Sequence, residues 1–96
     1  YRQSETKYFV VVNASNREKD LSHLLHYAVA KDVIINDCYS TEGILALQGP
    51  KALACLAQIF PDIAAIRNKH FGSFVWNEET ILISRTGYTG EMGVEI

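Results

Sequence analysis

ILALQGPKALACLAQIFP, Ile44 to Pro61, holds the change of periodicity that decides the fold class. ILALQ, Ile44 to Gln48, reads as a strand. Gly49-Pro50 then starts a helix, because a proline at the first helical position gives up a donor that would be unpaired anyway. KALACLAQIF supplies the body of that helix. Pro61 ends it, since proline disfavours helix in the residue before it and cannot continue the ladder. A strand, a glycine and a helix start carrying a lysine also resemble a phosphate turn. LQGPKA lacks the remaining glycines of such a loop, so a tight strand-to-helix turn is the preferred reading.

Downstream, DIAAI forms a short turn, and HFGSFVWN and TILISRT, joined by Asn77-Glu78-Glu79, read as a hairpin. VEI opens one more strand. Upstream, KYFVVV, Lys7 to Val12, is β-branched and aromatic and marks a largely buried strand. Ser15 and Glu18 have the spacing of a capping box, and Leu21, Leu24, Leu25, Ala28 and Val29 recur at helical spacing behind them, as in an amphipathic helix. Leu21, Leu24 and Leu25 are expected to form its buried stripe. DVIIND, Asp32 to Asp37, is another strand before the Ser40 to Gly43 break. The order is βαββαββ. Such a series predicts an α+β fold, with an antiparallel or mixed sheet, two main helices on one face and a ferredoxin-like βαββαβ arrangement as the simplest topology. Residues 1–96 are expected to form a single domain. Because the chain opens on Tyr1 and closes inside a strand, it is expected to be part of something longer.

Composition narrows the function classes. Hydrophobic residues at 48% and charged residues at 21% describe an ordinary globular chain. Nine Lys and Arg are scattered among eleven Asp and Glu for a net charge of −2, with no basic stripe for nucleic acid. Apolar runs such as Tyr8 to Val12 are far too short to span a bilayer, so no membrane partner is expected. Cys38 and Cys55 form no paired-cysteine motif, which fits free thiols in a reducing compartment. His23 and His26 share a helix face, but metal binding needs three or four ligands and only His70 remains, so no metal site is expected.

RTGYTGEMGVEI, Arg85 to Ile96, remains to be explained. Gly87, Gly90 and Gly93 suit neither a helix nor a strand interior, and they read as a shaped loop that holds the Tyr88 ring beside the next strand. If Val94 and Ile96 face the core, Glu95 points to the other face. A carboxylate there is either solvated or answered by donors, and its two oxygens suit a ligand with two adjacent N–H groups, such as an aminopyrimidine or pterin. Residues alone leave a surface loop with an exposed glutamate level with a ligand-binding wall.

A resemblance bears on that balance. YFVVVNASNREKD, LALQGPKA and SRTGYTGEMGVEI, in this order and at these separations, resemble the aminomethyltransferase family of the glycine cleavage system, the T-proteins. The resemblance implies a partial folate-binding domain of a three-domain enzyme. That enzyme would transfer a methylene unit from the aminomethyl group on lipoylated H-protein to tetrahydrofolate, with release of ammonia. By position in the motifs, it implies folate contacts for Tyr88 and Glu95, with Glu95 at the pterin, and places Val11 and Asn13 on a strand lining the same pocket. It also implies a key aspartate before Tyr1 and tail-binding arginines after Ile96, so the chain alone is expected to be inactive. No catalytic residue is expected within residues 1–96. The location expected is cytoplasmic for a bacterial protein and the mitochondrial matrix for a eukaryotic one. The rival readings are a folate-binding segment of a sarcosine or dimethylglycine dehydrogenase or of an iron-sulfur assembly factor, and a non-catalytic interaction domain.

Overall fold

The computed structural model describes residues 1–86 and 92–96, which group into two compact units, Tyr1–Glu42 and Gly43–Ile96. Among the described residues no helix is long and apolar enough to cross a membrane.

In the first unit, the predicted strand Lys7 to Val12 is not formed. Antiparallel pairing is confined to an isolated bridge between Arg2 and Tyr8, closed by Gln3 N–H to Lys7 O at 2.8 Å and Phe9 N–H to Tyr1 O at 2.8 Å. Val10 and Val11 beyond it are exposed. Strand propensity expresses itself only where a partner ladder exists, and here the partner is a few residues long. The predicted strand Asp32 to Asp37 is irregular for the same reason, with Val33 and Ile34 exposed.

The helix forms, but its start differs from the predicted one. Asn13, not Ser15, provides the cap: its Oδ1 accepts from the Ser15 backbone N–H at 3.2 Å and from the Ser15 hydroxyl at 3.0 Å. A 3-10 turn, Ala14–Asn16, then leads into α1, Arg17–Ala28. Glu18 and Asp20 in its first turn complement the helix dipole. The stripe predicted to be buried is open: Leu24 is 42% and Leu25 46% exposed, and α1 buries no residue. The first unit contains no sheet of its own on which that stripe could lie. Accordingly, Leu24→Ala is expected to change stability by less than about 1 kcal/mol, against about 2 to 5 for a buried leucine. Urea melts of the two chains check this, and a larger loss would mean that the stripe is covered in solution.

The second unit carries the sheet. Its strands are β1, Ala46–Gln48, β2, Phe71–Trp76, β3, Glu79–Ser84, and β4, Gly93–Glu95, in the order β1-β4-β3-β2. Every pairing is antiparallel. The chain is thus α+β as expected, but the ferredoxin-like order is not what forms. The two strands predicted upstream are missing, and the unit runs strand, helix, then three strands.

Gly49 makes the turn after β1 at φ 118, a conformation that a side chain would strain, and α2 follows at Ala52–Leu56. This helix is shorter than predicted. Its C-terminal end tightens into i to i+3 bonds, such as Ile59 N–H to Leu56 O at 3.0 Å, before the proline-led 3-10 turn Pro61–Ala65. The predicted hairpin forms with a loop of two residues. Asn77 and Glu78 both have positive φ, 48 and 68, as a type I′ turn requires, and Glu79 already pairs with Trp76.

The core of this unit is Ala52, Leu56, Phe60, Ile63, Ile83 and Val94, with Phe74 packing its ring 5.3 Å from that of Phe60. Ile81 and Phe74 are cross-strand partners and Ile83 follows two residues on, so α2 and the 3-10 turn cover one face of the sheet.

Candidate functional site

β4 is an interior strand, so Glu95 is held on both sides, opposite Ala46 of β1 and opposite Ser84 of β3. Val94 is fully buried and Ile96 packs against the same core. The pleat therefore turns Glu95 to the opposite face, as the alternation predicted. The carboxylate is half-buried and has donors nearby. Thr86 Oγ1 donates to Glu95 Oε2, and Thr86 Oγ1 lies 2.7 Å from Ser84 Oγ. A threonine hydroxyl has one proton, and the carboxylate takes it. The Ser84 hydroxyl must then be the donor to Thr86, so the three side chains form a directed chain from Ser84 through Thr86 to Glu95. Ser84 is the one buried polar residue among the described residues.

The same alternation separates Arg85 from its neighbours. Its Nη1 donates to the Ile66 carbonyl at 2.6 Å, and its backbone N–H to His70 O at 2.8 Å. Arg85 thus anchors the start of the hairpin while Ser84 and Thr86 attend to Glu95.

Gly93 has a different role from the predicted one. It lies in β4 rather than in a loop, directly opposite Gln48, whose Nε2 donates to the Val94 carbonyl at 3.2 Å. A Cβ on Gly93 would come within 2.6 Å of the Gln48 carboxamide. The glycine is there so that this side chain can cross the strand beside Glu95.

Tyr88, Gly87 and Gly90 lie outside the described residues. Val11 and Asn13 belong to the first unit, where Val11 is exposed on irregular backbone and Asn13 caps the turn before α1. Neither stands on the strand expected of them.

Sequence reasoning missed Ser84, Thr86 and Gln48. Ser84 and Thr86 could have been found by extending the period-2 alternation of TILIS past its end, which sets both hydroxyls on one side. It also missed a cluster in the first unit. There Arg17 Nη2 lies 2.5 Å from Asp37 Oδ2, and the guanidinium carbon sits 3.9 Å from the centroid of the Tyr39 ring. That cluster ties the irregular segment to α1.

Other candidates are weaker. A hollow of about 560 Å³ along α1 is lined by Lys19, Asp20, Ser22, His23, His26 and Tyr27. All six come from one helix, which cannot supply converging walls. Tyr27 packs its ring 4.8 Å from His23 and 5.0 Å from His26. Among the described residues no three His, Cys, Asp or Glu are grouped to hold a metal ion.

Comparison with known proteins adds to the geometry. All of residues 1–96 match the family described as GCVT N-terminal domain. The chain is 45% identical over 97 residues to a protein of Leptospira biflexa named Aminomethyltransferase, covering all of this chain and 26% of that protein. Proteins of the same name from Chlorobium chlorochromatii and Chlorobaculum tepidum are 42% and 41% identical over 99 residues, covering all of this chain and 27% of each. The chain thus spans about a quarter of the length of the curated relatives it matches. No solved structure matches it.

Proposed function

The chain belongs to the GCVT N-terminal domain family, and from that premise we propose that residues 1–96 are part of the folate-binding domain of a longer aminomethyltransferase. The enzyme transfers the methylene unit from aminomethyl-lipoyl H-protein to tetrahydrofolate and releases ammonia, a step of glycine cleavage. Tetrahydrofolate supplies the amines that accept the carbon. This chain's residues bind and orient it, with Glu95 at the pterin and Tyr88 beside it.

One observation carries the reading: Glu95 stands off the core face of an interior strand, half-buried and already anchored by a hydroxyl. A surface glutamate with no task has no reason to be fixed from a buried serine. A fixed carboxylate suits the paired N–H groups of a pterin, whose orientation decides whether its amines can reach the carbon. The names of the relatives support the reaction class.

The test is product formation. The full-length protein, given aminomethyl-loaded H-protein and tetrahydrofolate, is expected to yield methylenetetrahydrofolate and ammonia, and the 96-residue chain alone neither. Absence of turnover by the full-length protein with this pair, or turnover by the short chain, overturns the proposal.

A further inference from the structure

We propose that Thr86, backed by the buried Ser84 hydroxyl, is a positioning residue that fixes the plane of the Glu95 carboxylate for folate. The inference rests on the folate reading above. It is carried by the directed chain from Ser84 through Thr86 to Glu95 Oε2 and by the depth of its first member, 2% exposed.

A glutamate reaches its carboxylate through three torsions, and the last of them is broad. Pairing across the sheet fixes the Glu95 backbone but leaves those torsions open. One hydrogen bond to Oε2 removes that freedom if its donor is itself fixed. Thr86 is so fixed, because its oxygen accepts from Ser84, and Ser84 sits in a ladder opposite Glu95 itself. The arrangement orders the carboxylate before folate arrives, so that the ordering is not paid out of binding free energy. A hydroxyl buried as deeply as that of Ser84 would be unfavourable without a partner, and Thr86 is that partner.

The experiment is tetrahydrofolate titration of the full-length protein. Thr86→Val keeps the branched shape and deletes the hydroxyl, and it is expected to weaken binding about ten-fold, the size of one hydrogen bond to a charged group. Thr86→Ser should restore affinity to within about three-fold, since the hydroxyl is what matters. In a Glu95→Ala background, Thr86→Val should have no further effect, because the group it positions is gone.

Failure separates cleanly from failure of the folate reading. If Glu95→Ala binds normally, the folate reading falls and this inference with it. If Glu95→Ala weakens binding and Thr86→Val does not, only the inference falls. Equal losses from Thr86→Val with and without Glu95 would mean a structural role and also overturn it. Should Thr86→Val fail to fold by circular dichroism, Ser84→Ala decides: weaker binding supports the chain, and unchanged binding overturns it.

Discussion

Glu95→Gln in the full-length protein is expected to weaken tetrahydrofolate binding by roughly ten- to a hundred-fold, and Glu95→Ala by about as much. The glutamine keeps the volume but turns one acceptor into a donor. On one side that donor meets the Thr86 hydroxyl, which now donates to the carboxylate. On the other it would meet the pterin N–H groups. Facing Thr86, the amide N–H makes that hydroxyl turn round and accept, which reverses the chain from Ser84; facing the pterin, it opposes an N–H. In both rotamers the negative charge is gone, so shape alone does not rescue the interaction. Isothermal titration of the three proteins, with circular dichroism to confirm folding, makes the comparison. Equal affinities would reduce Glu95 to a solvated strand residue.

The second large effect concerns stability. Ile63 is fully buried in the 3-10 turn that closes the core over the sheet, against Leu56, Phe60, Ile83 and Val94. Ile63→Ala is expected to lower stability by about 2 to 5 kcal/mol, because a core this small cannot collapse around the lost volume. For a chain of this size that is a large share of the total, which runs to only about 0.05 to 0.15 kcal/mol per residue. Urea melts should show the midpoint falling with an unchanged slope. A loss no larger than that of Leu24→Ala would place Ile63 outside the cooperative core.

These two positions mark what could be read from residues. The second unit was legible because its signals are local. A proline-bounded turn, a hairpin around Asn77-Glu78-Glu79 and strict alternation around Glu95 each depend on neighbours in the chain, and each appears. The hairpin loop is one residue shorter than expected, because Glu79 already pairs with Trp76. The first unit was not. KYFVVV and DVIIND have strand composition, but a strand is a property of a pair, and their pairing partners cannot be read from their own residues. The leucine stripe of α1 likewise announces a face to be covered without naming the cover. At the site, alternation put Glu95 on the right side of the sheet. The register that sets Ser84 opposite it was hidden, since nothing in TILISRT states where VEI will align. Gly93 was misread for the same reason. Its smallness answers Gln48, a residue far off in sequence that reaches it only through the ladder.

That distance also orders the assembly of the site. The β2–β3 hairpin closes over two loop residues, whereas Gln48 reaches Val94 across 46 positions of chain. Loop closure grows less favourable with length, and non-local pairings are the slow events of folding. The hairpin is therefore the natural nucleus, β4 adds to it, and β1 docks last. Ser84 and Thr86 are in place early, and Ala46 pairs with the far flank of Glu95 when β1 docks. Substitutions in the hairpin should consequently retard folding, whereas those in β1 should chiefly hasten unfolding. The carboxylate face is finished by the strand that has furthest to travel.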